Sequence, residues 1–369
     1  LINKPSKKIV GFIMQDRGIA RHGYEVYYNN GILMKRRSMR MKKFRSLASL
    51  FLVLALLFTY IPVGAAGEAA QQSDDFVPVL RFMVASDVHI RNDGDAITGH
   101  EQLAKLYETA YAYSESNPIY NKLDGMFFIG DNTQGGSEQQ QTYFFNYLKE
   151  HTKEGTYALA TMGNHEFKAT GQNYKDPEGA TAKFLEYSGY ETTDTRFELG
   201  GYQFIVFAPD RYNKTKNLYF TEDKLAWVKN ELDAAVAATP DKPIFVMQHQ
   251  PPYATMKGTY NTSADKGLKN LLVNYPQVID FSGHTHCTLS DPRIIWQGEF
   301  TAINTGGLAY LSMPVMNGTN DQSGGRAIDE EGGWIGESED SAVRNAGMYY
   351  IVEVDANDTV RVLTYNMFT

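Results

Sequence analysis

The chain has 369 residues, with 43% apolar and 21% charged side chains, which describes an ordinary globular protein of one large or two small domains. Its net charge of −8 hides an asymmetry: residues 1–65 carry 12 Lys+Arg against 2 Asp+Glu, so the remainder, with 23 basic and 41 acidic side chains, stands at about −18. An acidic body argues against nonspecific nucleic-acid binding, whose affinity rests on basic surface, and a single cysteine, Cys287, excludes an internal disulfide.

Residues 1–40 read as an upstream extension outside the fold, and Met41 is the natural start. Lys35-Arg36-Arg37, Arg40, Lys42-Lys43 and Arg45 precede the apolar run Leu47 to Ile61, and Gly64-Ala65-Ala66-Gly67 follows. A basic region, a short apolar stretch and a small-residue zone predict a secretory signal peptide over 41–66, removed close to Ala66. The apolar run is short of the ~20 residues a spanning helix needs, so a cleaved, exported product without a membrane span is expected rather than a retained anchor.

Residues 67–77 form a polar linker. Strands are then predicted over Val79 to Ala85, Gly125 to Ile129 and Tyr157 to Thr161, alternating with amphipathic helices from His100 and over Glu138 to Glu150. A short helix follows at Ala180 to Ser188, and Thr195–Leu199 with Tyr202–Phe207 reads as a hairpin about Gly200-Gly201. Thr221 caps a helix carrying Leu225, Val228, Leu232 and Val236, strand Ile244 to Met247 comes next, and Asp265 to Asn274 is helical. Antiparallel strands are expected at Ile294–Trp296, Phe300–Asn304 and Leu308–Leu311, with a Gly-rich acidic loop at 313–345 and a closing hairpin, Met348–Val354 with Thr359–Tyr365, in the segment 346–369. The chain stops almost as that last strand ends, which reads as a truncated end. The strand–helix alternation argues for an α/β sheet with polar residues gathered at strand exits.

Phe281-Ser282-Gly283-His284-Thr285-His286 carries two imidazoles one residue apart after the apolar run Val278, Ile279, Phe281. Strand alternation would point both the same way, into the crevice where α/β proteins bind ligands. Taken alone, the pair fits a divalent-metal site and a solvated loop equally. Upstream, however, Asp87-x-His89, Gly130-Asp131, Gly163-Asn164-His165-Glu166 and His249 each stand at a predicted strand exit. Carboxylates, an amide oxygen and imidazoles suit two adjacent borderline-hard cations.

These five motifs, in this order across roughly Leu80 to Tyr310, resemble the calcineurin-like metallophosphoesterases. The resemblance implies a catalytic domain over 78–312 built from two mixed β-sheets packed face to face and flanked by helices. It implies that Asp87, His89 and His286 hold one metal ion, that Asn164, His249 and His284 hold another, and that Asp131 bridges them. The ions would be divalent or trivalent Mn, Fe or Zn. It further implies hydrolysis of a small phosphate mono- or diester by a metal-bridging hydroxide, with His165 protonating the leaving oxygen. A structural bond from His165 to Glu166 is the bland alternative for that histidine. His100 and His151, at helix ends, and Cys287, as a small buried hydrophobe, need no functional role.

Departures narrow the class. Purple acid phosphatases have a tyrosine ligand three residues after the bridging aspartate, where this chain has Gln134; Ser/Thr protein phosphatases have Asp-Arg-Gly, where it has Gln134-Gly135-Gly136. The 5′-nucleotidases are similar at Gly163-Asn164-His165-Glu166 but carry an extra C-terminal domain. The expectation is an exported bacterial phosphoesterase. The competing readings are a 5′-nucleotidase-like enzyme, a cyclic-nucleotide phosphodiesterase, and a secreted or envelope binding protein on an inactive scaffold. An intact set of buried polar groups speaks against the last.

Overall fold

Strand by strand, side chains of the central sheets alternate between two apolar environments, and this alternation defines the architecture. The computed structural model describes residues 9–14 and 76–367 except 94, 96–98, 173–174, 212–218, 261–263 and 312–346; the predicted signal peptide and the loop at 313–345 lie outside the described residues. Ile9–Met14 and Val77 onward belong to one compact unit.

The strands are β1 (Ile9–Met14), β2 (Pro78–Ala85), β3 (Gly125–Ile129), β4 (Tyr157–Thr161), β5 (Thr195–Leu199), β6 (Tyr202–Val206), β7 (Ile244–Met247), β8 (Val278–Ser282), β9 (Ile295–Gln297), β10 (Thr301–Asn304), β11 (Met348–Asp355) and β12 (Val360–Asn366). One sheet runs β1-β12-β11-β2-β3-β4 and the other β5-β6-β7-β8-β10-β9. Helices α1 (His100–Glu115), α2 (Glu138–His151) and α3 (Pro177–Ser188) follow strands of the first sheet; α4 (Glu222–Ala238) and α5 (Lys266–Leu272) follow strands of the second.

Leu80, Phe82 and Val84 of β2, Phe127 and Ile129 of β3, Phe245 and Met247 of β7, and Ile279 and Phe281 of β8 share one core between the sheets. The intervening Met83, Ala85, Met126 and Phe128 pack instead with Leu103 and Leu106 of α1, Phe144 of α2 and Phe184 of α3. Ile244, Val246 and Val278 pack with Val228 and Leu232 of α4 and Leu268 of α5. Three apolar layers between four structural layers explain why the core strands read as continuous hydrophobic runs: both faces are covered. The fold is α/β, with two mixed sheets flanked by helices.

Several local readings differ from the sequence expectations. β1 pairs in parallel with β12, although residues 1–40 were expected to stand outside the fold; the run Ile9-Val10-Gly11-Phe12-Ile13-Met14 is rich in strand-forming residues, and an open sheet edge templates such pairing. β10 is antiparallel to β9 but parallel to β8. Leu308–Leu311 is not a strand; the amides of Leu308 and Ala309 donate to the Asp87 carbonyl instead, tying that segment to the exit of β2.

Asp280 is a charged residue at a core position. Alternation turns it toward the α4–α5 side of β8, fully buried, where Gln248 Nε2 donates to its Oδ1 at 3.1 Å. Burial pushes its carboxyl up to about 8, against the small opposing effect of that bond. A folded-state value above the unfolded one means stability is greatest below the ordinary carboxylate range and falls as pH rises toward 8, by about 1.4 kcal/mol per unit at most. Asp280→Asn keeps the shape without the ionisation. Urea denaturation at pH 5 and pH 8 in one metal-containing buffer should show the variant gaining on wild type at the higher pH by at least ~1 kcal/mol. A constant difference between the two proteins would show that Asp280 ionises freely.

Candidate metal centre

Five strands deliver polar residues to one place. Asp87 and His89 follow β2, Asp131 follows β3, Asn164 and His165 follow β4, His249 follows β7, and His284 and His286 follow β8. Backbone bonds continue the parallel pairing past the strand ends: Asp87 N donates to Gly130 O, His89 N to Asp131 O and Gly283 N to His249 O, at 3.0, 3.0 and 3.1 Å.

The backbone here is not extended. Asp87, His89, Asp131, His284 and His286 have φ of 55°, 48°, 51°, 69° and 51°. Left-handed conformations in residues with a Cβ cost about 1–2 kcal/mol each, and Asp and His are among those that tolerate them best. The His284/His286 pair is therefore not an alternating strand. β8 ends at Ser282, Thr285 N donates back to Gly283 O at 2.8 Å, and the two imidazoles part. His286 joins Asp87 and His89, while His284 joins Asp131 and His249, each trio having ligand atoms within 4.8 Å of one another.

Glycines make the approach possible. A Cβ on Gly130 would stand 2.7 Å from the His249 ring, and one on Gly163 would overlap Asp131 at Oδ1 and its amide nitrogen. Glu166 lies beneath, fully buried, accepting from the amides of Gly163, Asp131 and Thr133 at 2.7, 3.1 and 2.9 Å and from the Thr133 hydroxyl at 2.8 Å. Its partners are these loops and not His165, which corrects the bland reading of that histidine. Burial first, then the Asp131 charge, raises the Glu166 carboxyl to about 7.

The imidazoles are oriented by carbonyls. His249 Nδ1 donates to Ile129 O at 2.9 Å and His286 Nδ1 to Tyr310 O at 3.1 Å, leaving each Nε2 turned inward, 3.2 Å from Asp131 Oδ2 and 3.0 Å from Asp87 Oδ1 respectively. Such outer bonds fix the tautomer and sharpen the inner lone pair. Tyr310 also stacks on His286, with ring centres 3.9 Å apart. His89 Nε2 comes within 3.3 Å of His286 Nε2. Asp87 Oδ2 accepts from Ser86 Oγ and from His284 N. Asn164 Oδ1 accepts from Gln250 Nε2 at 3.3 Å.

Electrostatics pull the groups apart. Burial opposes the charge on Asp131 and Asp87, but the surrounding imidazoles outweigh it and hold both carboxyls below their usual range. Burial likewise opposes the charge on His249, yet Asp131 and Asp87 raise it to about 9; burial takes His284 down to about 4 and His165 to about 3.

The donor set fits metal ions. Asp87 Oδ1 and His249 Nε2 are buried and make no well-formed hydrogen bond; each meets only other members of the cluster, the nearest being His286 Nε2 at 3.0 Å and Asp131 Oδ2 at 3.2 Å. Unpaired buried polar atoms are costly, and a cation shared by convergent carboxylates and neutral imidazoles satisfies them.

The sequence model of the family described as calcineurin-like phosphoesterase matches residues 80–288, which include every residue named above except Tyr310. The chain belongs to the calcineurin-like phosphoesterases.

Among solved structures, this calcineurin-like phosphoesterase is similar to TT1561 of Thermus thermophilus, at 14% identity and TM-score 0.41, over 78% of this chain and 99% of that one. It is similar to GAP50, the anchor in the inner membrane complex of Plasmodium, at 15% and 0.42, over 78% and 84%. The purple acid phosphatase PPD1 from yellow lupin seeds gives 13% and 0.45, over 77% of this chain and 53% of that one. No curated protein matches the sequence.

Of the sequence-predicted residues, the structure brings Asp87, His89, Asp131, His249, His284 and His286 together, and adds His165, which forms a third close trio with His89 and Asp131. His165 stands past the end of β4, directly before the short 3-10 turn at Glu166–Lys168, so the two-residue strand period does not govern its direction. His100 and His151 lie elsewhere, stacked on Tyr143 and Tyr147 at 3.5 and 3.8 Å. Cys287 is buried in the inter-sheet core. Gln250 and Tyr310 escaped the sequence reading. A signal for Gln250 was available, since Gln248 and Gln250 flank His249 directly before two prolines.

Proposed function

We propose that the chain is an exported hydrolase of phosphate mono- or diesters that uses two metal ions, Mn, Fe or Zn. The observation that carries this reading is the pair of donor trios, one on Asp87 and one on Asp131, whose buried inner atoms face only one another. Asp87, His89 and His286 would hold one ion, Asn164, His249 and His284 the other, and Asp131 both. When bound, such ions acidify water toward neutral pH and neutralise phosphate oxygens.

The chain's own residues supply the rest. Gln250 holds the Asn164 amide so that a fixed oxygen is presented. His165 has its amide tied to Asp131 Oδ1 at 2.7 Å and its Nδ1 donating to Gln134 O at 2.7 Å, which leaves Nε2 for a proton that burial disfavours and the Asp131 carboxylate, 3.8 Å away, favours; the proposed donor role requires that proton to be held when the oxygen departs. With 18% of its side chain exposed, that ring borders solvent, whereas His249 is fully buried.

The test is hydrolysis of p-nitrophenyl phosphate and bis-p-nitrophenyl phosphate by purified protein with Mn, Zn or Fe. Turnover should vanish on chelation and return with one of these metals. A protein that takes up two metals per chain and hydrolyses neither ester would favour the alternative of a binding protein on the same scaffold.

Export is supported by the charge and apolar pattern of residues 35–67. N-terminal sequencing of the protein from intact cells should begin close to Ala66, and an intact segment retained in the membrane fraction would exclude cleavage. Among the described residues no helix is long and apolar enough to cross a membrane.

A further inference from the structure

Beside His165 the chain places a cation that no carboxylate meets directly among the described residues. Lys168, at the end of the Glu166–Lys168 turn, brings Nζ to 2.8 Å from His165 Nδ1, 3.2 Å from His165 Nε2 and 3.4 Å from the Gln134 carbonyl oxygen. All three are neutral groups, and the shortest approach is to a nitrogen whose own proton is directed at that same carbonyl. An ammonium has three protons to donate and is left poorly matched here.

The two nearby carboxylates are engaged elsewhere. Asp131 faces His249 and the His165 amide, and Glu166 is taken by three backbone amides and the Thr133 hydroxyl. No carboxylate stands within ion-pair distance of Lys168 among the described residues. Burial works against the charged form of Lys168, and the Asp131 and Glu166 charges favour it without reaching it as direct partners. A half-buried ammonium without a direct anionic partner has protons left to donate to a bound anion.

Its position says which anion. In the proposed function His165 Nε2 serves the departing oxygen, so a cation 3.2 Å from that nitrogen lies on the departing side of the scissile bond. We infer that Lys168 receives a negative charge carried by the leaving group, and that the preferred substrates are phosphate esters whose alcohol portion bears a carboxylate or a second phosphate. This rests on the proposed function for the direction of the substrate. An ammonium pairing with such an anion gains a charge-assisted bond, worth on the order of tenfold in affinity.

Binding without turnover tests it. Titration calorimetry of the metal-loaded full chain would compare benzylphosphonate with its 4-carboxy and 4-phosphonomethyl derivatives, none of which can be hydrolysed at the phosphonate carbon. Wild type should bind at least one derivative about tenfold tighter than the parent, and which one identifies the leaving-group anion. Lys168→Gln should bring that ratio to within about twofold, and Lys168→Arg should keep most of it. Wild type that does not discriminate, or Lys168→Gln that still does, overturns the inference. So does an equal weakening of all three ligands in Lys168→Gln, which would place Lys168 on the reacting phosphate or behind His165. Absence of p-nitrophenyl ester turnover together with Lys168-dependent discrimination would instead refute the hydrolase reading and leave the anion site standing.

Discussion

Asp131→Asn should lose more metal and more activity than any other single substitution at this centre. The family resemblance assigns it to both ions, and its Oδ2 lies 3.2 Å from His249 Nε2 and 4.0 Å from His89 Nε2; Asp87 Oδ1 also reaches both, but with the shorter contact, 3.0 Å, to His286 Nε2 and 4.0 Å to His249 Nε2. The amide variant can still accept the His165 N–H through Oδ1, so the local backbone keeps its bond and the change isolates the charge. Removing an outer partner of a metal ligand typically costs 10–100-fold in affinity or activity, and a directly shared ligand should exceed that, at more than about 100-fold in kcat/KM. His249→Ala should weaken mainly one ion, because His249 belongs to only one of the close trios, that with Asp131 and His284. Elemental analysis is the deciding measurement. Equal, full occupancy by two ions in wild type and Asp131→Asn would remove Asp131 from the bridging position.

His165→Asn should retain both ions and lose rate according to the basicity of the leaving group. A proton donor matters most when the departing alkoxide is a strong base and least for p-nitrophenolate, which leaves unprotonated. General acid catalysis contributes typically 10²–10⁴-fold, so the deficit on alkyl esters should exceed that on p-nitrophenyl esters on roughly that scale. The experiment is kcat/KM across leaving groups of graded pKa for both proteins, with metal content checked. Parallel dependences would mean that His165 stabilises phosphate electrostatically. Metal loss in the variant would make it a ligand, a role its place in the trio with His89 and Asp131 keeps open to measurement.

Much of this chain was legible before any coordinates. β2, β3, β4, β7 and β8 stand within a residue of their predicted bounds, and the helices after β2 and β3 begin where their apolar spacing places them. These elements are set by local chemistry: uninterrupted apolar runs for strands covered on both faces, and caps such as Ser137, Thr221 and Asp265, whose side chains accept the amides of Gln140, Lys224 and Leu268. The residue types at the strand exits likewise announce metal chemistry, because carboxylates and imidazoles recur where open α/β sheets bind ligands.

The geometry of the centre was not legible, and the reason is physical. The two-residue strand period carried past Ser282 points His284 and His286 the same way. Beyond Ser282 the chain instead takes left-handed conformations at His284 and His286, which are unfavourable in isolation, and beyond Thr161 it enters a right-handed turn at His165. They persist because distant groups bond them in place: Asp87 Oδ2 to the His284 amide, Asp131 Oδ1 to the His165 amide, Tyr310 O to His286 Nδ1. Those bonds span 197, 34 and 24 residues of chain, so no local window contains both partners. The amino-acid sequence by itself determined which chemical groups are available and which strands carry them. The family resemblance already assigned His284 and His286 to different ions, against strand alternation; only the tertiary structure gave the turn that parts them, showed Glu166 bracing the loops and brought Lys168 against His165, because those outcomes depend on contacts between strand exits that meet when the two sheets close on one another.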